Sequence, residues 1–120
     1  MTYTVTNQNT GKIIKKIELK NSIQVLDMRD VVYIESEGRY LHIQTRQDRI
    51  TIRSKLKDFI EDLEDIFLHS HQSYAVNMSY IKRFEGKEIE LSTGKIVPVS
   101  RSKCKVAKEK LINYLEKNYG

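Results

Sequence analysis

A chain of 120 residues with 39% apolar and 31% charged residues has core enough for one domain and too little for two. Apolar residues alternate with polar ones along almost the whole length, which excludes a disordered chain. No run approaches the roughly 18–20 apolar residues of a membrane-crossing helix, and the N-terminus lacks the apolar segment of a signal peptide.

A net charge of +5 and a pI near 9.3 favour an anionic partner without naming one. The excess is local. Residues 95–120 carry seven Lys/Arg against Glu109 and Glu116, whereas 58–65 is dense in Asp and Glu. Cys104 is the single cysteine, so neither a disulfide framework nor a cysteine zinc site is available, and a cytoplasmic setting is expected.

In chain order, residues 1–12 are rich in Thr and Asn and read as a linker, a tail or a fraying first strand. The domain is placed at 13–120. Ile17 and Leu19 alternate with charged residues, Asn21 and Ser22 signal a turn, and Ile23 and Val25 alternate again. A compact apolar strand over 31–36 meets a turn at Glu37-Gly38, where Gly38 can take positive φ. Beyond it Leu41, Ile43 and Thr45 face one way and Tyr40, His42 and Gln44 the other. Ile50 and Ile52 continue the meander.

The first helix is expected near Ser54 as its cap, with Leu56, Phe59, Ile60 and Leu63 forming a core-facing stripe at i, i+3, i+4 and i+7. Asp58, Glu61, Asp62, Glu64 and Asp65 take its other face, which should stay away from nucleic acid. Strands follow over 73–77, 80–84 and 88–92, then a two-residue turn at Thr93-Gly94. Pro98 consigns the returning strand to an edge or makes it irregular. Ser100 or Ser102 is expected to cap a last helix that buries Ala107, Leu111, Tyr114 and Leu115. The pattern gives a mostly antiparallel β domain with one internal and one C-terminal helix, and no repeat.

The segment 67–77, F-L-H-S-H-Q-S-Y-A-V-N, holds most of the candidate chemistry. His69 and His71 in H-x-H spacing share a face of a strand, but a stable metal site needs about four ligands, and His42 is the only other histidine. No elbow motif frames Ser73 or Ser79, and the five glycines are scattered, so no phosphate loop exists. No catalytic residue, metal or cofactor is expected, and the chain is not read as an enzyme.

Nucleic-acid contacts gather more residues. Arg39, Tyr40 and His42 follow a glycine turn. Gln72 suits the N6/N7 edge of adenine and Arg101 the O6/N7 edge of guanine. Ser73, Asn77, Ser100 and Lys103 can hold phosphates, which set position without reading sequence.

Four blocks, in order, resemble the LytTR family of DNA-binding domains: V-V-Y-I-E-S-E-G-R-Y-L-H-I (31–43), R-S-K-L-K-D-F (53–59), the 67–77 segment, and I-V-P-V-S-R-S-K (96–103). The resemblance spans roughly 17–115. It implies three small antiparallel sheets with flanking helices, and loops instead of a recognition helix entering successive major grooves. It also implies the effector domain of a bacterial two-component response regulator, bound as a dimer to paired direct repeats in double-stranded DNA.

Carried over by position, base reading falls to Leu41, Gln72 and Arg101, with Arg39, Tyr40 or His42 sharing the first loop. His71, Ser73 and Asn77 match the third block, with His71 and Asn77 either contacting DNA or serving the structure, Asn77 by tying a turn. Lys103 and Lys105 would add a salt-sensitive backbone contribution. Two other readings stand beside this one. The first is an RNA, single-strand or acidic-protein module using Tyr33, Tyr40, Tyr74 and Tyr80. The second is a metal-dependent hydrolase using His69 and His71.

Overall fold

The computed structural model describes residues 2–6 and 12–120, with side chains from 12 onward. Its strands form three antiparallel sheets, the number that the resemblance implies. The first sheet contains β1 (Thr2–Thr6), β2 (Ile13–Leu19) and β3 (Ser22–Asp27). The second has five strands in the order β6-β5-β4-β8-β7: β4 (Val31–Glu37), β5 (Tyr40–Thr45), β6 (Arg49–Arg53), β7 (Phe67–His71) and β8 (Tyr74–Asn77). The third joins β9 (Ile81–Glu85), β10 (Glu88–Leu91) and β11 (Ile96–Pro98), with β11 at its edge, where Pro98 needs no ladder donor. Helix α1 is Leu56–Ile60 and α2 is Cys104–Tyr119.

The five-stranded sheet is the middle layer. On one face Ile34, Leu41, Ile43 and Ile52 pack with Ile17 and Leu26 of the first sheet and with Leu56, Phe59 and Ile60 of α1. On the other, Val32, Leu68 and Val76 meet Ile89, Leu91 and Val97 of the third sheet and Ala107 and Leu111 of α2. Burial on both faces explains why β4 reads as the unbroken apolar run Val31–Val32–Tyr33–Ile34. Lys15 is buried on the inner face of β2, where its ammonium lies over the Phe59 ring and donates to Asp62 Oδ1 at 3.0 Å. This buried cation ties the first sheet to the end of α1.

Several boundaries differ from the sequence reading. Of the readings given for 1–12, a first strand holds at Thr2–Thr6, which pairs with β2 in the register Thr2↔Ile17 to Thr6↔Ile13; residues 1 and 7–11 lie outside the described residues. Helix α1 is only five residues long. Leu63 is still fully buried, but turns carry it there, with Leu63 N–H donating to Ile60 O and Phe67 N–H to Leu63 O. Carboxylates at Glu61, Asp62, Glu64 and Asp65 oppose the negative end of a helix dipole and one another, which stops α1 early.

Neither expected serine cap forms. Lys55 and Lys103 occupy the N-cap positions without side-chain cap bonds, and a 3₁₀ turn, Arg101–Lys103, leads into α2. The β10–β11 connection is longer than two residues, closed by Leu91 N–H to Lys95 O and Gly94 N–H to Leu91 O. Leu115 is 44% exposed and leaves the buried stripe of α2.

A short repeat, unexpected from the sequence, is also present. Asp27 and Asn77 each cap a 3₁₀ turn that begins with a buried methionine, Met28 or Met78, and each turn leads into a strand. Those strands end at Gly38 and Gly86, both at φ +59°, the conformation that favours glycine. Only a few side chains define the unit, too few to stand out from the sequence.

Candidate nucleic-acid interface

Strand pairing sets four chain segments at one end of the five-stranded sheet. The β4–β5 hairpin turns at Gly38-Arg39. β8 runs antiparallel to β4 with Glu35 opposite Tyr74, so the Gln72-Ser73 turn lies beside it, joined by Ser36 N–H to Ser73 O at 2.7 Å. β6 pairs with β5 so that Arg53 lies opposite Tyr40, which brings the β6–α1 connection to the same end. The β11–α2 connection is tied there by Ser100 N–H donating to Ser70 O at 2.8 Å.

Between these segments lies a groove of about 590 Å³. Arg39, Arg53, Lys55, Lys57 and Lys103 line it together with Ser54, His69 and Gln72, and no Asp or Glu does. Charge, not size, singles it out. A hollow of about 520 Å³ between β3 and the β5–β6 turn carries Asp27, Asp30 and Asp48 against Arg46 alone, a mixed lining less suited to a phosphate.

The predicted residues divide clearly. Arg39, Gln72, Arg101 and Lys105 are exposed, and Tyr40 is 50% exposed. Arg39, Gln72 and Lys103 are brought together in the groove, while Arg101 stands outside it on the adjoining 3₁₀ turn. Leu41 is corrected: it is 0% exposed in the core beneath the sheet, so it cannot touch a base edge.

His42 is corrected as a free reader, since Nδ1 bonds Thr51 Oγ1 at 2.9 Å and Nε2 bonds Glu37 Oε1 at 2.8 Å. Asn77 is corrected as a backbone contact. Its side chain is 0% exposed; Nδ2 donates to Val31 O at 2.9 Å, and Oδ1 accepts from Ser79 N–H at 3.0 Å and Ser79 Oγ at 2.8 Å. The Ser100 hydroxyl is buried, which withdraws it from phosphate contact. His71 Nδ1 accepts from Ser73 N–H at 3.1 Å, which shapes the Gln72-Ser73 turn from within.

His69 and His71 do not face one way on a regular strand, because the β7–β8 register shifts between them. Among the described residues no three His, Cys, Asp or Glu converge as metal ligands. Burial holds the His69 imidazole below its ordinary pKa, and the Lys103 ammonium pushes it the same way. It therefore lines the groove in its neutral form near neutral pH. Tyr33 is buried and Tyr74 and Tyr80 are half-buried, which leaves Tyr40 alone of the four tyrosines well placed for stacking on an unpaired base.

The sequence profile of the LytTr DNA-binding domain matches residues 21–112. The chain belongs to the LytTR family.

Relatives agree with that membership. The transcriptional regulatory protein NatR of Bacillus subtilis is 36% identical over 75 residues, covering 62% of this chain and 31% of NatR. The heme-containing CO-sensing transcriptional regulator RcoM 1 of Paraburkholderia xenovorans is 33% identical over 99 residues, 77% of this chain and 37% of that protein. The sensory transduction protein LytT of B. subtilis is 26% identical over 111 residues, 88% of this chain and 46% of LytT. The chain thus spans less than half the length of these relatives. A solved LytTr DNA-binding domain of a putative methyl-accepting/DNA response regulator from Bacillus cereus has the same fold, with a TM-score of 0.69 at 21% identity over 82% of this chain and 95% of that one.

Within the LytTR domain, the sequence reading missed Arg53, Lys55 and Lys57, which it had absorbed into a helix-capping block. A usable signal was present. Arg53, Lys55 and Lys57 alternate with Ile52, Ser54 and Leu56 through the connection, and the three cations are exposed while Ile52 and Leu56 are buried. Among the described residues no helix is long and apolar enough to cross a membrane.

Proposed function

We propose that this LytTR domain binds double-stranded DNA sequence-specifically by inserting its loops into successive major grooves, and that it serves a bacterial transcription regulator of the two-component type as its cytoplasmic effector domain. Arg101 and Gln72 read base edges, with Arg39 and Tyr40 serving the first loop. Ser73, Lys103 and Lys105 hold the backbone, and His71 keeps the Gln72-Ser73 turn in shape. The observation that carries this reading is the acid-free basic groove, lined by exposed Arg39 and Gln72 with exposed Arg101 beside it. A cationic concavity beside protruding polar side chains is the surface that backbone positioning and base readout need together.

The DNA is proposed to carry paired direct repeats, occupied by two copies of the domain. Buried Tyr33 and half-buried Tyr74 and Tyr80 weigh against a single-strand module, and the register shift between His69 and His71 weighs against a metal-dependent hydrolase. Selection from a random duplex library tests the reading. Recovery of one enriched motif, present as two copies in the same orientation, is the expected outcome. Retention of all sequences equally, or equal capture of RNA at the same salt, would defeat it.

A further inference from the structure

We propose that the groove bounded by Arg53, Lys55 and Lys57 of the β6–α1 connection seats the sugar–phosphate backbone of one DNA strand as it passes between the loops. This deepens the DNA-binding reading and rests on it. It adds a fourth contact element, one that inserts nothing into a groove of the DNA and reads no base.

Charge pairing is the first support. Some cations elsewhere on the surface meet carboxylates: Arg29 with Asp27, and Lys82 and Arg83 with Glu90. Among the described residues Arg39, Arg53, Lys55, Lys57 and Lys103 have no carboxylate within salt-bridge distance, yet they converge on one concavity. Like charges gathered without counter-charge oppose the fold, and an anion lying among them removes that repulsion.

Mechanical support is the second. The cations do not hang on a loose loop. Buried Ile52 and Leu56 anchor the connection on either side of Ser54, and Lys55 O accepts the first α1 hydrogen bond, from Phe59 N–H, at 3.0 Å. A rigid base lowers the entropy lost when long side chains settle on phosphates.

The third support is the sign change just beyond. Asp58, Glu61 and Glu64 border the neighbouring hollow, outnumbering Lys57 and Lys110, which also line it. A DNA strand is therefore confined to the α1 entrance and directed towards Arg39 and Lys103. Phosphates need no particular base, so the contact is sequence-independent.

The test measures duplex affinity against salt for the wild-type domain, Lys55→Gln, Lys55→Arg and the triple variant Arg53→Gln/Lys55→Gln/Lys57→Gln. A duplex carrying the selected motif is compared with a scrambled one. Each lost phosphate contact should lower the magnitude of the slope of log K against log salt by about 0.9. The triple variant is expected to lower it by roughly two to three, weakening both duplexes by the same factor and leaving their ratio unchanged. Lys55→Arg should keep the wild-type slope. All three side chains are exposed, so an unfolding midpoint no lower than that of the wild type is the control for folding.

An unchanged slope in the triple variant, with the wild type still discriminating between duplexes, overturns the groove proposal alone. A changed ratio overturns it too, because the connection would then be reading bases. If the wild type prefers neither duplex, the reading beneath the proposal falls, and the proposal falls with it.

Discussion

Asn77→Ala separates a structural residue from a DNA contact, and its effect can be worked out from the geometry. The side chain is fully buried and makes three well-formed hydrogen bonds, to Val31 O at 2.9 Å, from Ser79 N–H at 3.0 Å and from Ser79 Oγ at 2.8 Å. A fourth, to Met28 O at 3.4 Å, is long enough to count for little. Each buried bond contributes about 1 kcal/mol net, and a buried group left without a partner costs about 1–3 kcal/mol. Alanine removes three bonds and strands the Val31 carbonyl, so a loss of about 4–6 kcal/mol is expected. Against a typical total of about 5–15 kcal/mol this is a large fraction.

Urea unfolding followed by circular dichroism measures the loss directly. Duplex affinity at low temperature, where the variant is folded, should match the wild type once the folded fraction is corrected for. A destabilisation below about 0.5 kcal/mol would refute the account of Asn77 as the buried link between β4 and β8. Normal stability with lost DNA affinity would restore it as a backbone contact.

Arg101→Ala should weaken the preferred duplex by about 1–3 kcal/mol and relax preference at one base position; equal losses on selected and scrambled duplexes would make it a phosphate anchor only. Leu41→Ala should cost about 2–5 kcal/mol of stability, as large-to-small core changes do, and leave base preference intact; any altered selected motif would contradict its burial. His69 gives a pH prediction. Its folded pKa lies below the ordinary 6.5, so as pH falls through that value the unfolded chain takes the proton first and stability declines. The decline continues until the folded imidazole is also protonated. His69→Gln should show a shallower dependence of the urea midpoint in that window, and identical slopes would remove His69 as the cause.

Much of the fold was legible because burial imposes simple periods. The run Val31–Ile34, the alternation through Ile50 and Ile52 and the stripe Leu56–Phe59–Ile60–Leu63 all lie where their patterns place them. What periodicity could not weigh was local electrostatics, and so α1 was expected to run past a cluster of carboxylates that ends it. Leu41 carries a different lesson. Its alternation with Ile43 already pointed inward, and carrying over a reading position by resemblance set that signal aside. In a strand a shift of one residue exchanges the faces, which is the whole difference between buried Leu41 and exposed Tyr40. The groove was illegible for a topological reason: Arg53 meets Gln72 only through the pairing of β6 with β5, β5 with β4 and β4 with β8.

That chain of pairings has a consequence for the order of assembly. Among the described residues every strand pair joins strands adjacent in sequence, except β4 with β8. The adjacent pairs can close early because their ends are near one another, whereas β4–β8 must first close the long intervening chain. Arg39, Arg53 and Lys55 belong to the β4–β5–β6 meander and its exit, Gln72 to the β7–β8 hairpin, and Lys103 to the chain beyond both. A chain with only its hairpins formed carries the cations on separate pieces and no concavity to hold them. Competence to grip DNA therefore arrives with the last long-range closure, and a nascent or half-unfolded copy does not occupy the site.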